Sequence, residues 1–183
     1  MEFYQEPEEK RLQSIISWIV DIAVMIALAA YLVYCFGSKV SVNGNSMSPI
    51  LNSGDVVLVN RFLYDLGSPD RYDIAVFATD ENEEDINIKR IIGLPGETVQ
   101  IKENCVYIDG LPLDAEDALS FSSIAGAAEY PIELQDDEYF VLGDNRESSE
   151  DSRFAGIGNI RRDQLIGKVW LRFQPLEQLA LIR

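Results

Sequence analysis

The chain has 183 residues, of which 47% are hydrophobic, and its formal net charge is −16. This length suits one domain with its own core, and the hydrophobic content is too high for a disordered acidic segment. The negative charge argues against a nucleic-acid partner, because binding to phosphates needs clustered lysine and arginine side chains.

The sequence contains no histidine and two cysteines, Cys35 and Cys105. Without histidine, neither a Ser/His/Asp triad nor a Cys/His dyad can form, so a hydrolytic site would need another general base. The cysteines lie far apart, and we expect both to be free thiols. No cluster of cysteine and histidine ligands exists for zinc, and we expect neither a metal ion nor a cofactor.

The first predicted element is a transmembrane helix over residues 15–37, interrupted only by the charged residue Asp21. About 22 mostly apolar residues are enough to cross the hydrocarbon core of a bilayer. A cleavable signal peptide has a shorter apolar region that ends at small residues, so an uncleaved anchor fits better. The alternative, a buried helix of a soluble domain, is disfavoured by the length of the span.

The charges that flank this helix predict its orientation. Lys10 and Arg11 precede the apolar segment, and only Lys39 lies close after it. The positive-inside rule therefore predicts a cytoplasmic N-terminal segment over residues 1–14 and a single-pass anchor in the cell membrane. The rest of the chain is expected to be extracytoplasmic, with membrane lipid as a partner of the helix. The sequence does not indicate an oligomeric state.

Beyond Val40 the pattern changes to short β-rich runs separated by turn residues. Apolar and β-branched runs predict strands over 56–59, 74–77, 86–92, 99–101, 106–108, 139–142 and 169–173. The segment 114–137 is rich in Ala, Ser, Glu and Asp, and we expect an exposed insertion there. Residues 38–183 are therefore predicted to form one mostly β domain, either a barrel or a sandwich.

The first motif with chemical content runs from Gly44 to Pro49, shortly after the predicted membrane exit. Pro49 disfavours helical backbone at Ser48, so Ser46 lies on extended or turning chain where its hydroxyl can point outward. Small polar residues beside proline are also typical of ordinary loops, and this motif alone does not indicate catalysis.

The second motif places Lys89 in the strongly apolar strand 86–92, ahead of Leu94, Pro95 and Gly96. Burial of a lysine penalises its charged form and lowers its pKa towards the range of a useful general base. A neutral Lys89 could then deprotonate Ser46. The alternative is a strand lysine whose ammonium group reaches water.

The third motif, residues 143–153, directly follows a predicted strand and is dense in hydrogen-bonding groups. Gly, Asp, Asn and Ser are common in turns, so a charged surface turn is one interpretation. A rigid supporting loop is the other.

These three segments, together with the strand residues 54–60 after the serine, resemble the bacterial type I signal peptidases over nearly the whole chain. The single anchor and the short insertion are similar to the compact Gram-positive members. The resemblance implies a membrane-bound serine endopeptidase whose barrel-like β catalytic domain lies outside the membrane. It also implies that the substrates are exported preproteins, which are cut after small residues in an Ala-x-Ala pattern to remove the signal peptide.

The resemblance further implies roles for individual residues. Ser46 corresponds to the nucleophile, Lys89 to the general base, and Ser149 to a hydroxyl that orients the lysine amine. The remaining matches are two positions that shape the site, Met47 and Pro49, and three structural residues that support it, Asp144, Asp151 and Arg153. Arg90, next to the proposed base, is interpreted as structural.

One position departs from part of the family. Some members carry a serine two residues before the nucleophile, where its hydroxyl helps to stabilise the oxyanion, and this chain has Gly44 there. We expect the amide of Ser46 still to contribute to that stabilisation.

Two alternatives to a general signal peptidase follow from the same residues. One is a specialised Ser/Lys processing protease with a narrow set of clients. The other is an inactive membrane-tethered assembly factor of the same fold, although the presence of both Ser46 and Lys89 counts against it.

Overall fold

The computed structural model describes residues 8–36, 38–79, 85–113 and 121–182. It begins with a long helix, α1 (Glu8–Phe36). Within it the segment Arg11–Tyr34 has a mean hydropathy of 2.3 over its 18-residue window, and none of that window is buried against the protein. The helix therefore has the length and composition to cross a membrane. Residues 1–7 and Gly37, and the side chains of Lys10 and Cys35, lie outside the described part.

Twelve strands and one short helix follow in the described residues. The short helix is α2 (Phe62–Leu66). The strands are β1 (Ser38–Ser41), β2 (Val56–Asn60), β3 (Ile74–Ala78), β4 (Ile86–Gly93), β5 (Thr98–Lys102), β6 (Cys105–Ile108), β7 (Leu111–Pro112), β8 (Ile132–Glu133), β9 (Glu138–Leu142), β10 (Ile160–Arg161), β11 (Leu165–Gln174) and β12 (Ala180–Leu181). Each of the seven strands expected from the sequence is present, and the mostly β fold with one N-terminal helix is confirmed.

The strands form two antiparallel sheets. The larger has the order β1-β2-β11-β3-β4-β9-β10, with β12 also paired to β11, and the smaller has the order β7-β6-β5-β8. The chain passes from the larger to the smaller sheet at the end of β4. A Cβ atom at Gly93 would lie only 2.5 Å from Val99 Cγ2 and 2.9 Å from Phe140 Cβ, so this crossing is packed too closely for a side chain.

Three hydrophobic clusters lie against these sheets. The first packs the loop between β1 and β2 onto the larger sheet through Val42, Met47 and Leu51. The second is built around β5 and β6 of the smaller sheet, and the third covers parts of β3, β4 and β9. The first cluster matters most for function, because it anchors the loop that carries Ser46.

The segment 114–137, which we expected to be an exposed insertion, has mostly exposed side chains in its described part, residues 121–137. Residues 114–120 lie outside the described residues. The rest contains a 3₁₀ helix at Gly126–Glu129 and the strand β8. Ser122, Ala128 and Leu134 are buried, because this part of the chain packs against the smaller sheet and the loop after β9. These three buried side chains attach a largely exposed segment to the domain.

The pairing of β4 leaves one edge of that strand open. β4 pairs with β3 along its length, with Lys89 opposite Ala75. On its other side β9 pairs with β4 only from Arg90 onward, where Arg90 lies opposite Leu142. The chain then turns away from β4 into the loop 143–153. Residues 86–89 of β4 therefore have no strand partner on this side among the described residues, and the loop that carries Ser46 lies near them.

Candidate active site

Ser46 lies at the start of a tight turn. The amide of Ser48 donates to the Asn45 carbonyl at 3.1 Å, and the amide of Leu51 donates to the Met47 carbonyl at 2.9 Å. Met47 and Leu51 are fully buried in the first cluster and fix the turn from below. Ser46 itself is half-buried, so its hydroxyl is presented at the protein surface on a rigid base.

A distant loop holds the backbone of this turn from the other side. The amide of Asn145 donates to the Ser46 carbonyl at 2.9 Å. The Asn145 side chain donates to the Asn45 carbonyl at 3.2 Å. Sequence reasoning had not singled out Asn145, although it lies in the third motif directly after Asp144. Its double contact joins the serine turn to the loop 143–153.

Lys89 reaches Ser46 from the open edge of β4. Its Nζ donates to Ser46 Oγ at 2.9 Å, and only 5% of the residue is exposed. Burial lowers the pKa of Lys89 below its ordinary value, and the charges of Asp151 and Glu150 partly oppose this shift. A buried amine with a lowered pKa at hydrogen-bond distance from a hydroxyl has the geometry and the chemistry of a general base and its nucleophile.

The neighbouring residue Arg90 points away from the amine and fixes the strand. Its Nε and Nη2 donate to the two carboxylate oxygens of Asp144 at 2.7 and 2.6 Å. Its Nη1 donates to the Tyr72 carbonyl at 2.7 Å. Both charged side chains of the pair are almost completely buried. Asp144 therefore ties the loop 143–153 to β4, next to Lys89.

A second buried ion pair holds the far end of the same loop. Arg153 donates to both carboxylate oxygens of Asp151, at 2.7 and 2.8 Å, and both side chains are fully buried. Asp151 also accepts the Gly143 amide at 3.0 Å. Arg153 further donates to Ser122 Oγ and to the Ile124 carbonyl. The pair thus connects both ends of the loop with the segment before β8.

Ser149 does not make the contact that we expected of it in this structure. Its hydroxyl oxygen is buried and forms no hydrogen bond with any described residue, whereas Lys89 Nζ contacts Ser46 Oγ. The side chain lies instead on Gly143, where a Cβ atom would be 2.2 Å from Ser149 Oγ and 2.6 Å from the Ser46 carbonyl oxygen. Ser149 is therefore close to the serine turn, with an unused hydroxyl.

The other two positions expected to shape the site differ in their surroundings. Met47 is 1% exposed and belongs to the first cluster. Pro49 is exposed on the turn that follows. Gly44 has φ +81°, a left-handed conformation that favours glycine over serine. Its amide donates to Ser53 Oγ at 3.3 Å. In the described hydrogen bonds, the Ser46 amide has no acceptor and is available to a substrate oxygen.

Two cavities meet at the Ser46 hydroxyl. The small cavity has a volume of about 30 Å³, and its walls combine four apolar residues with five polar ones: Val42, Met47, Ile86 and Ile88, and Ser41, Asn43, Ser46, Asn87 and Lys89. The larger, which we call the cleft, has a volume of about 360 Å³, and its walls include Gly44, Ser46, Asp85, Lys89, Glu150 and Ile157. A volume of about 30 Å³ is enough for a small group such as a methyl group or a water molecule.

A family model described as signal peptidase, peptidase S26, matches residues 15–174. A probable signal peptidase I-2 from Synechocystis sp. is 38% identical over 144 residues, which are 75% of this chain and 63% of that relative. The signal peptidase I of Bacillus caldolyticus is 33% identical over 178 residues, covering 89% of this chain and 91% of the relative. The signal peptidase I S of Bacillus subtilis is 33% identical over 176 residues, covering 91% and 93%.

A crystal structure of a signal peptidase I from Enterococcus faecalis V583 is 32% identical in sequence, with a TM-score of 0.45. The match covers 55% of this chain and 96% of that chain.

The buried pair between Arg90 and Asp144 gives a prediction about stability. Asp144→Asn keeps the shape of the side chain but leaves the Arg90 charge buried without its ion pair, and we expect a loss of about 3–5 kcal/mol in the free energy of unfolding. Asp163→Asn is the matched control, because the pair between Arg161 and Asp163 is exposed and its removal should change little. Urea unfolding of both variants of the full chain in detergent micelles measures the difference. Equal losses would contradict the structural role of Asp144.

Proposed function

The chain belongs to the signal peptidase family, peptidase S26, and is a serine endopeptidase of the signal peptidase I type, and we propose that Ser46 and Lys89 carry out its reaction. The reaction removes signal peptides from preproteins. The observation that carries the proposal is the 2.9 Å contact between Lys89 Nζ and Ser46 Oγ, made by a lysine whose pKa is lowered by burial.

In the first step, neutral Lys89 accepts the proton of the Ser46 hydroxyl while Oγ attacks the carbonyl carbon of the scissile bond. The tetrahedral intermediate collapses as its C–N bond breaks, and Lys89 gives the proton to the leaving amine. The signal peptide is then esterified to Ser46. In the second step, Lys89 accepts a proton from water, the hydroxide attacks the ester carbonyl, and the proton returns to Ser46 Oγ as the acid leaves. Both steps need the same amine at the same position.

The oxyanion formed in each step needs hydrogen-bond donors. The amide of Ser46 is one proposed donor, because none of the described groups uses it. The Asn145 side chain donates to the Asn45 carbonyl at 3.2 Å, which belongs to the same peptide unit as the Ser46 amide, and so holds this unit in place before substrate arrives. Donors held in place before the reaction stabilise the developing charge without reorganising.

The small cavity supports cleavage after small residues. Its volume of about 30 Å³ suits the methyl group of alanine and excludes larger side chains. Its walls include Ser41, the last residue of β1, the following residues 42–43, and residues 86–88 of β4, whose edge facing away from β3 is unpaired in the described residues. An extended preprotein segment can add to such an edge through backbone hydrogen bonds. We therefore propose Ala-x-Ala-like cleavage sites.

The helix α1 is proposed to anchor the enzyme in the cell membrane, in contact with lipid. We propose a cytoplasmic segment over residues 1–14, an anchor over 15–37 and an extracytoplasmic catalytic domain over 38–183. The apolar segment Arg11–Tyr34 supports the anchor, and the basic residues before it support the orientation. Protease protection of the catalytic domain inside inside-out vesicles checks the orientation, and digestion there would contradict it.

A specialised protease and an inactive assembly factor are distinguished from a general signal peptidase by substrate range. The test uses fluorogenic peptides that carry unrelated signal sequences with Ala-x-Ala sites, and matched peptides with leucine in place of the alanine before the cut. Cleavage of most alanine peptides supports general processing, and cleavage of one or two supports a narrow client set. No cleavage supports the inactive factor.

The proposed dyad predicts the effect of removing either group. Ser46→Ala and Lys89→Met each reduce peptide cleavage to background, because each removes half of one proton-transfer unit. The double variant is no slower than either single variant, since groups that act together are not additive. Ser48→Ala, on the same turn, and Lys102→Met, on an exposed strand position, are controls that keep near-native turnover. A single dyad variant with native turnover would refute the assignment.

The lowered pKa of Lys89 predicts the pH dependence. The amine must be neutral to accept a proton, so activity rises with pH as the ammonium form is lost. Because burial places the pKa of Lys89 below the ordinary 10.5, the midpoint of this rise lies below that pH. Lys89→Arg keeps the positive charge but cannot be deprotonated, and it should be inactive at every pH. Initial rates of peptide cleavage across pH test this, and activity that falls as pH rises would contradict it.

Ser149 is proposed to support the lysine during turnover, although the two are not hydrogen-bonded here. Its buried hydroxyl lacks a partner, and the lysine ammonium formed after proton transfer needs acceptors. Ser149→Ala should lower kcat by about ten- to a hundredfold with little change in KM, as expected for a group that orients the base.

Two neighbouring serines are the controls for Ser149. Ser148 is exposed, and Ser152 Oγ accepts the Val141 amide at 2.9 Å. Ser152→Ala should therefore reduce stability more than kcat, and Ser148→Ala should change neither. Equal losses of kcat at all three positions, or no loss at Ser149, would contradict the role.

A further inference from the structure

Glu150 lies in the wall of the cleft, beside the proposed dyad. The cleft also contains Ser46 and Lys89, and Glu150 is exposed to it. A Cβ atom at Gly156 would lie 2.7 Å from Glu150 Oε1, so the carboxylate rests on the backbone of Gly156. The carboxylate thus lies next to Gly156, which also lines the cleft.

The carboxylate of Glu150 differs from the nearby carboxylates, each of which is held by an ion pair or a hydrogen bond within the protein. Asp144 is paired with Arg90, and Asp151 is paired with Arg153. Asp85, on the other wall of the cleft, accepts the Thr79 hydroxyl at 2.5 Å. Across the described ranges, Glu150 has neither an ion pair nor a hydrogen bond. It is thus the acidic group of the cleft that remains for a ligand.

The proposed reaction indicates which part of the substrate passes Glu150. Lys89 must hand its proton to the leaving amine, so the chain that follows the scissile bond has to run past Lys89 Nζ. The negative charge of Glu150 acts on Lys89 across the cleft. The first residues of the released protein are therefore expected to pass the wall of the cleft that carries Glu150.

We propose that Glu150 is a specificity-determining residue that favours lysine or arginine, and disfavours aspartate or glutamate, at the first two positions after the scissile bond. The inference rests on the proposed function. The net charge of −16 has the same sign and adds to the repulsion of acidic substrates. Because Glu150 is exposed to solvent, the interaction with one substrate charge is screened and should change the rate by about threefold.

The test compares three peptides with one Ala-x-Ala signal sequence and with lysine, glutamine or glutamate at the first two positions after the cut. The full chain in uncharged detergent micelles should cleave the lysine peptide about tenfold faster than the glutamate peptide, as kcat/KM. Glu150→Gln should remove most of this difference, and Glu150→Lys should reverse it. Glu147→Gln, an exposed carboxylate of the same loop that does not line the cleft, should leave it unchanged.

Two further measurements distinguish an electrostatic effect of Glu150 on substrate preference from an effect of Glu150 on the pKa of Lys89. Rates are compared on the high-pH plateau, because removal of the Glu150 charge also lowers the pKa of Lys89 and moves the pH profile to lower pH. Salt at about 1 M should shrink the lysine preference of the native chain, since it screens exposed charges.

Equal kcat/KM for the three peptides in the native chain would overturn the inference while leaving the proposed function intact. Equal effects of Glu147→Gln and Glu150→Gln would also overturn it. Failure to cleave any peptide, as with Ser46→Ala, would overturn the proposed function and the inference together.

Discussion

The burial of one lysine amine is the constraint on which the rest of the site depends. An exposed lysine is protonated at neutral pH and cannot act as a base. Lys89 can therefore act as a base only if burial removes water from around its amine and lowers its pKa. It does so on an apolar strand, 5% exposed, with its amine 2.9 Å from a hydroxyl. Burial of a charge is costly, and the cost falls as the group becomes neutral. The feature that destabilises the ammonium form is therefore the feature that makes the base.

Such a site needs rigid support, which comes from two buried ion pairs on one loop. Arg90–Asp144 binds the loop to β4 beside the base, and Asp151–Arg153 closes it on itself and on the preceding segment. A buried ion pair contributes little net stability to a fold. It fixes the relative position of its two side chains, however, because displacing one of them leaves an uncompensated buried charge. The Asn145 contacts to the serine turn then set the nucleophile relative to the same loop. Ser46 and Lys89, the proposed nucleophile and base, are thus positioned by one structural unit.

The sequence could predict the elements that depend on local sequence patterns. Alternation and β-branched runs located seven strands, and the apolar segment located α1. It could not predict β1, since residues 38–41 have only one large apolar side chain, Val40. It also could not pair Arg90 with Asp144 or Asn145 with Ser46, because these contacts join residues 54 and 99 positions apart. The motifs identified the candidate residues, whereas the burial of Lys89 and the unused hydroxyl of Ser149 depend on the tertiary packing.

The position of Ser46 in the chain relates the site to the proposed anchor. Ser46 lies ten positions after Phe36, the end of α1, and four of the nine residues between them form the extended strand β1. A chain of ten residues spans at most about 35 Å, so the nucleophile cannot lie farther than this from the end of the helix. A signal peptide also leaves the bilayer at the end of an apolar segment, and its cleavage site follows within a few residues. With α1 as the proposed anchor and Ser46 as the proposed nucleophile, the short connection between them would limit cleavage to chain segments close to the membrane surface. This limit on distance would add to the limit on side-chain size that we propose for the small cavity.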